Sequence, residues 1–283
     1  MKTLIHGGQI RLYVLDNTDL LKEVYEMNQS VAGLPKQLLG KMISVMSILT
    51  GTLKGTDRIS LSVTLTNRSQ KLFTEADAGG NVRGYMNGAL AEFPCDGETG
   101  EEKMIGGNGT IRVIKGTDLH QFTSITDMPN REITKDLENY FMQSDQTATH
   151  LAALIRTGED GMPLSSHASY AQLLPGAPSH LLEEVKEVLR SRPELPAGIN
   201  AGNLDKSLHS LRMAFPGLQF LGTSECRFFC GCTKEMFLGM LQSLSAEEVE
   251  EMIAQSEPAK AVCHVCGREH LLETEDLRRL GSA

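Results

Sequence analysis

The sequence predicts an α+β fold: a core domain that mixes strands and helices, then a helical linker, then a small cysteine-rich domain. Two observations carry this prediction. Along residues 1–178 the period of the apolar side chains switches between that of strands and that of helices, without the regular alternation of a βαβ fold. Five of the six cysteines follow residue 225, and four of these form two closely spaced pairs.

The first predicted elements are a strand and two helices. Residues 9–16 alternate apolar and polar side chains, as a half-buried strand does. Residues 17–28 begin with Asn17, a good capping residue, and then place apolar side chains at helical spacing. We predict that the second helix begins at Pro35. Because this helix is apolar nearly all round, we expect it at the centre of the domain.

Several strands are predicted after the second helix. Residues 58–67 place four apolar side chains on one face, and residues 70–87 have the pattern of a hairpin that turns at 77–81. Another strand is centred on Ile111 and Val113, and residues 131–151 return to a helical pattern. We place the end of this core domain at residue 178.

The next segment, residues 179–225, is predicted to be a metastable helical linker. It begins with an amphipathic helix, continues through a hinge rich in proline and glycine at 192–203, and ends with a second apolar-periodic stretch. Two interpretations remain open from the residues alone. The segment is either a helical extension that packs permanently on the core, or one whose apolar faces are covered only conditionally.

The last 58 residues, 226–283, are predicted to contain two short helices. Apolar residues at helical spacing mark the first helix: Met236, Phe237, Met240, Leu241 and Leu244. Ser245 and Glu248 form a capping box for the second, and Pro258 ends it. A segment of this size buries too little apolar surface to fold securely alone, so we expect another source of stability.

The four paired cysteines are the candidates for that source. Cys230 and Cys232 flank one glycine; thirty residues later Cys263 and Cys266 form a C-x-x-C followed by Gly267. A structural disulfide, a catalytic thiol pair and a metal site are all compatible with short cysteine spacing. No apolar run is long enough for a secretion signal or a membrane span, so we expect a cytoplasmic protein with reduced thiols, which favours metal.

The spacing fits one tetrahedral Zn²⁺ per chain. Two short-spaced pairs separated by a helical insert can present four sulfurs to a single ion, each at roughly 2.3 Å. A structural zinc ion contributes on the order of 10–16 kcal/mol of apparent free energy, enough to decide whether a segment this small folds. We therefore predict Cys230, Cys232, Cys263 and Cys266 as metal ligands.

The remaining cysteines and histidines receive weaker predictions. Cys226 is predicted to be a spare half-buried thiol, Cys95 a bystander in a loop, and His264 a side chain that points outward. The other histidines form no ligand spacing: His6, His120, His150, His167, His180, His209 and His270. Residues 165–167, Ser-Ser-His, lack the context of a nucleophile elbow, and 106–110 is no phosphate loop. We expect no catalytic residues and no enzyme.

Charge argues against nucleic acid as a partner. The formal net charge is −9, and the surroundings of the cysteine pairs are rich in glutamate. Such a surface repels phosphate, whereas zinc ribbons that bind nucleic acid have basic and aromatic neighbours.

A four-thiolate site can also act as a switch. A zinc-bound thiolate is still a nucleophile toward peroxide or hypochlorous acid, and oxidation of one pair removes two of the four ligands. A disulfide between residues two apart is strained and easily reduced, and it closes too small a loop to stabilise the fold. The site is therefore stable while reduced and fails when oxidised.

With these features the sequence resembles the heat-shock protein 33 family, the redox-regulated holdase chaperones of the bacterial cytosol. The spacing C-x-C, about thirty residues, C-x-x-C carries the resemblance. In the N-terminal half, four segments are similar to the family in the expected order: "DAGGNVRGYMN" at 77–87, "GNGTIRVIK" at 107–115, "LENYFMQSDQ" at 137–146 and "QLLPGA" at 172–177. The resemblance covers essentially the whole chain.

The resemblance implies a stress-response mechanism. The reduced, zinc-bound form is folded and inactive. Oxidation forms disulfides within each pair, Cys230–Cys232 and Cys263–Cys266, after which zinc leaves and residues 226–283 and the linker unfold. The exposed apolar surface then binds unfolding client proteins without ATP. The active form tends to be a homodimer, and clients pass to ATP-dependent foldase chaperones after reduction.

Two other functions are weighed against the redox-gated holdase. One is a constitutive zinc-stapled scaffold that binds a partner protein and senses nothing. The other is a thiol–disulfide oxidoreductase that uses Cys263 and Cys266. A thioredoxin-type site, however, needs a βαβ setting, and here Gly267 and a strand pattern follow the C-x-x-C instead.

Overall fold

The computed structural model of the chain describes residues 1–94, 100–117, 119–199, 203–254 and 258–280. The chain divides into two compact units, Met1–Phe228 and Phe229–Ala283. Contacts group residues 179–228 with the first unit. The assignment of 179–225 to a separate linker, and with it the predicted boundary at 178, stays a prediction.

The first unit contains two largely antiparallel sheets and the helices around them. Its strands are β1 (Lys2–Ile5), β2 (Ile10–Asp16), β3 (Arg58–Thr64), β4 (Lys71–Asp77), β5 (Asn81–Met86), β6 (Thr110–Gly116), β7 (Gln121–Asp127), β8 (Thr149–Thr157), β9 (Pro163–Leu173), β10 (Gln219–Gly222) and β11 (Arg227–Phe228). Its helices are α1 (Thr18–Met27), α2 (Gly33–Leu49), α3 (Gly88–Ala91), α4 (Glu101–Ile105), α5 (Ile133–Ser144), α6 (His180–Ser191), α7 (Glu194–Ala197) and α8 (Leu204–Ala214).

The two sheets have different strand orders. The first runs β10-β1-β2-β9-β8 and the second runs β11-β5-β4-β3-β6-β7. All neighbours are antiparallel except β11, which lies parallel to β5. The predicted strands β2, β3, β4, β5 and β6 are confirmed, as is the mixed α+β class.

Helix α2 is the central element, as its all-round apolar pattern predicts. It contacts β2, β8 and β9 of the first sheet and β4 and β5 of the second. Met42, Ile43 and Met46 have no exposed surface. The helix begins at Gly33, so that Pro35 is its third residue and not its first. A proline is tolerated in this first turn because the N–H it lacks has no intrahelical acceptor there.

One helix prediction is wrong at its C-terminal end. The pattern at 131–151 predicts helix throughout, but α5 ends at Ser144 and residues from Thr149 onward form β8. Gln146 has a φ of +53°, and the Thr147 N–H bonds back to the Phe141 carbonyl at 3.1 Å, which closes the helix. The strand then forms because it pairs along its length with β9, a long-range contact that local spacing does not reveal.

The first sheet is buried on both faces. Tyr13 and Tyr170 belong to the core around α2, whereas Leu12, Val14 and Ala171 belong to a second core on the opposite face. The alternation at 9–16 predicts a half-buried strand. In the structure β2 is covered on both sides, because the Tyr13 ring is buried on the face opposite Leu12 and Val14.

Residues 179–218 cover this second face; we call them the covering segment. Its buried side chains come from α6, α7, α8 and the turns beside them: Leu182, Val185, Leu189, Leu195, Ile199, Leu208, Leu211, Phe215 and Leu218. The sheet residues beneath are entirely inaccessible to solvent: Ile5, Ile10, Leu12, Val14 and Ala171. Each large apolar side chain buried here contributes about 1.5–3 kcal/mol. Removal of the segment would therefore expose a continuous apolar sheet face.

The second unit is small and has little apolar core. Its elements are α9 (Lys234–Leu241), α10 (Ala246–Ala254), β12 (Ala259–Val262), β13 (Glu269–Leu272) and α11 (Thr274–Leu280). Among the described residues its core cluster has three buried members, Val249, Leu272 and Leu277, with partly buried neighbours around them. The capping box is confirmed: the Ser245 N–H donates to Glu248 at 2.8 Å and the Glu248 N–H to Ser245 Oγ at 3.3 Å. Met236 and Met240, two of the apolar residues that mark helix α9 in the sequence, are exposed.

We expect substitution of Leu211 to loosen the covering segment. Leu211→Ala removes a fully buried side chain and leaves a cavity, which should cost about 2–5 kcal/mol in the free energy of unfolding. Met213→Ala on the same helix is the matched control, because Met213 is 69% exposed and its loss should cost less than about 0.5 kcal/mol. Denaturant unfolding and limited proteolysis within 179–218 measure both effects. Equal behaviour of the two variants would contradict the packing described above.

Candidate metal centre

The two cysteine pairs lie in two tight turns of the second unit. Cys230 and Cys232 precede α9, and Gly231 between them has a φ of +71°, a conformation that glycine adopts without strain. Cys263 and Cys266 lie in the turn that joins β12 to β13. The Cys263 N–H bonds to the Arg268 carbonyl at 2.9 Å and the Gly267 N–H to the Cys263 carbonyl at 2.7 Å, which closes this turn. Gly267 also has a positive φ, +69°.

The four predicted ligands converge. Their Sγ atoms all lie within 4.8 Å of one another. The Sγ atoms of Cys230 and Cys263 are 3.5 Å apart, as are those of Cys232 and Cys266. Three of the thiols are buried, and that of Cys266 is half-buried. Their role as metal ligands stays a prediction.

The donor set fits a zinc ion. Four sulfurs at about 2.3 Å from one centre, at the corners of a tetrahedron, would be roughly 3.8 Å apart. The observed separations of 3.5 Å and up to 4.8 Å bracket that value, so small side-chain movements suffice. Thiolates are also the ligands that zinc prefers in structural sites, and four of them satisfy its coordination completely.

The thiols differ in how easily they ionise. Burial raises the pKa of Cys230, and the neighbouring Cys263 sulfur raises it further. Burial likewise raises the pKa of Cys232 to about 11, with Cys266 contributing. Burial acts in the same direction on Cys263, but hydrogen bonds from the backbone N–H groups of Cys266 and Val265 outweigh it and lower the pKa of that thiol. A dication at the centre of the four sulfurs would favour the thiolate form of all of them.

One residue of this site was missed by the sequence analysis. His270, in β13, places Nε2 at 3.3 Å from the Cys232 Sγ, and its ring packs against that of Phe237 with a centroid distance of 5.0 Å. The spacing of His270 from Cys266 matches no zinc-ligand motif, so the sequence excluded it. The sequence feature that could have identified it is its position four residues after Cys266, on the strand that follows the C-x-x-C turn. A side chain so close to the turn can contact the sulfurs.

The other predicted thiols lie apart from the cluster or cannot be placed. Cys226 belongs to the first unit and is half-buried, as expected. Burial raises its pKa to about 11, partly offset by a hydrogen bond with Ser47. Cys95 lies outside the described residues. His264 is exposed, in agreement with its predicted outward orientation.

Comparison with known proteins identifies the family. The family model described as Hsp33 protein matches residues 1–273, nearly the whole chain. The chain belongs to the Hsp33 family. The resemblance seen in the cysteine spacing and the four N-terminal segments is thereby confirmed.

Curated relatives and a solved structure agree with this assignment. The chain is 25% identical to the 33 kDa chaperonin of Oceanobacillus iheyensis, over 99% of this chain and 98% of the relative. It is also 25% identical to that of Acetivibrio thermocellus, over 96% and 93%. A crystal structure of the 33 kDa chaperonin, an Hsp33 homolog, from Thermotoga maritima superposes with a TM-score of 0.82 at 19% identity, covering 99% of this chain and 96% of that one. The last match confirms the fold.

No helix in the described part of the chain combines the length and the apolar character needed to cross a bilayer.

We expect metal removal to unfold the second unit selectively. If the four thiolates hold a zinc ion, chelation under reducing conditions removes the main stabilising interaction of a unit with only a small apolar core. Amides of β12 and β13 should then lose protection from hydrogen exchange. Amides of β2 and β9, within the doubly covered sheet of the first unit, serve as the internal control. Unchanged protection in β12 and β13, with metal analysis showing an ion-free protein, would contradict the prediction.

Proposed function

We propose that this protein is a redox-regulated, ATP-independent holdase chaperone. One observation carries the proposal: four converging sulfurs lie in a unit with little apolar core of its own. In the chain, this unit follows soon after the segment that covers an apolar sheet face. Membership of the Hsp33 family, and the chaperonin names of the relatives, support the proposal.

In the reduced state the four cysteines bind one zinc ion. A zinc ion held by these four residues would keep the sulfurs together as thiolates and would supplement the small apolar core of the second unit. Through the ion, Cys230 and Cys232 at the start of the unit would be linked to Cys263 and Cys266 in the turn of the β12–β13 hairpin. The covering segment then stays packed, and the apolar sheet face of the first unit stays closed to clients.

Oxidation by a peroxide removes the ligands in pairs. One thiolate attacks the peroxide: an S–O bond forms, the O–O bond breaks and hydroxide leaves, which yields a sulfenic acid. The neighbouring thiolate of the same pair attacks that sulfur, a disulfide forms and a second hydroxide leaves. Two electrons pass to each peroxide. Disulfides Cys230–Cys232 and Cys263–Cys266 result, and neither pair retains a thiolate to hold the ion.

Loss of the second unit then uncovers the client-binding surface. Without the zinc site the unit unfolds, and the covering segment, with its interrupted helices and the proline- and glycine-rich hinge at 192–203, follows. Its departure exposes the sheet residues Ile10, Leu12 and Val14 together with its own apolar faces. Such a surface binds unfolding proteins through apolar contacts and needs no nucleotide.

The remaining parts of the proposal concern partners and location. We place the protein in the cytoplasm, where its thiols are reduced until oxidative stress occurs. Its partners are unfolding client proteins, a second copy of the chain in the oxidised state, and ATP-dependent foldases that receive clients after reduction. The net charge of −9 disfavours nucleic acid as a ligand. We propose no catalytic activity.

The test is the aggregation of a thermally unfolding client, with and without prior peroxide treatment. Wild-type protein should suppress aggregation only after oxidation. Cys263→Ser removes one ligand, so it should release zinc more easily and suppress aggregation without peroxide. Cys226→Ser is the matched control, since it changes a half-buried thiol outside the cluster and should behave like the wild type.

Other outcomes would support other functions. Suppression that is equal before and after peroxide would indicate a constitutive scaffold and reject redox gating. Catalytic turnover in an insulin-reduction assay would indicate a thiol–disulfide oxidoreductase. Zinc release without any gain in suppression would reject the holdase.

A further inference from the structure

We infer that His270 donates a hydrogen bond to the Cys232 sulfur and thereby slows the oxidation of the zinc cluster. The inference rests on the zinc site of the proposed function, and it assigns a residue that sets how much oxidant the switch requires. His270 is not one of the four cysteines predicted to bind the metal.

The contact has the geometry of a hydrogen bond to sulfur. His270 Nε2 lies 3.3 Å from Cys232 Sγ, well within the range for a sulfur acceptor. A metal-bound thiolate has no proton to give and can only accept. With the metal bound, the hydrogen of this contact would therefore lie on Nε2, which makes the histidine the donor.

The ring is held in this position from two sides. The Phe237 ring, from α9, packs against it at a centroid distance of 5.0 Å, with the two ring planes tilted by 39°. The backbone of His270 is fixed by the pairing of β12 with β13. In this ladder His270 lies opposite Ala261, which is two residues before Cys263. The histidine is half-buried. A side chain fixed in this way loses little freedom when it donates, so the hydrogen bond persists.

The hydrogen bond completes a pattern that the backbone provides for other sulfurs. Cys230 accepts from the backbone N–H of Cys232, and Cys263 accepts from the N–H groups of Cys266 and Val265. His270 supplies a side-chain donor to Cys232. Unlike the backbone donors, it can be removed by substitution without changing the path of either turn.

A donor at Cys232 should lower the reactivity of that sulfur. Attack on a peroxide requires a sulfur lone pair, which forms the S–O bond as the O–O bond breaks and hydroxide leaves. An N–H group that shares this electron density stabilises the thiolate and makes it a weaker nucleophile. Partners of metal ligands typically change affinity or activity by about 10- to 100-fold, so one hydrogen bond is sufficient for a measurable effect.

The experiment compares three variants of the full-length, reduced, zinc-loaded protein. His270→Phe keeps an aromatic ring against Phe237 but has no donor. His270→Gln restores an N–H group at a similar reach. His120→Phe, an exposed histidine in the first unit, controls for the exchange of histidine for phenylalanine. Zinc release after peroxide addition is followed with a chromogenic chelator.

We expect His270→Phe to release zinc about tenfold faster than the wild type, the lower limit for partners of metal ligands. His270→Gln should release it at close to the wild-type rate, and His120→Phe should match the wild type. Cobalt-substituted protein provides a readout that does not depend on oxidation. Loss of the donor should move the sulfur-to-cobalt charge-transfer band to lower energy in His270→Phe, and His270→Gln should restore it. A purely structural role would leave the band of the intact site unmoved.

Equal rates of zinc release in the wild type and His270→Phe, with identical cobalt spectra, would overturn the inference and leave the proposed function intact. Faster release with an unmoved band would also overturn it, because the ring would then act by packing alone. If His270→Phe shifts both the rate and the band while the oxidised wild type fails to suppress client aggregation, the inference stands and the holdase proposal fails.

Discussion

The convergence of four sulfurs is the main structural constraint in the second unit. Its described core has three buried apolar residues, far fewer than a domain of that size needs for secure folding. The two cysteine turns instead bring their Sγ atoms within 4.8 Å of one another. Burial raises the pKa of Cys230 and of Cys232, so without a cation both stay neutral thiols, which form only weak hydrogen bonds. In the proposed function, metal binding by these thiols, more than apolar packing, decides whether the unit is ordered.

The first unit has the opposite construction. Helix α2 is surrounded by two sheets, and its residues Met42, Ile43 and Met46 are fully buried. On the far face of the first sheet, Leu12 and Val14 are covered by helices that follow the rest of the core in sequence. In the proposed function, the segment that covers this apolar surface joins the first unit to a second unit whose order depends on zinc.

Much of this could be predicted from the sequence, and the failures have physical causes. The spacing of Cys230, Cys232, Cys263 and Cys266 identifies the candidate ligands, because short cysteine spacing is a local signal. Strands β3 to β6 and helix α2 were predicted from their apolar periods. Strand β8 was not, since residues from Thr149 onward form a strand only through their pairing with β9. His270 was missed for a similar reason: its contact with Cys232 spans 38 residues and depends on the β12–β13 hairpin.

The covering segment is followed directly by β10, which pairs with β1 at the edge of the same sheet. Residues that leave the face would tend to pull this edge strand away with them. The backbone N–H and C=O groups of Thr3 and Leu4 would then lack their partners on that side. An open edge beside an exposed apolar face offers an extended polypeptide two kinds of contact at once: main-chain pairing that is indifferent to sequence, and side-chain burial that favours apolar segments. Such a combination would accommodate many unrelated chains.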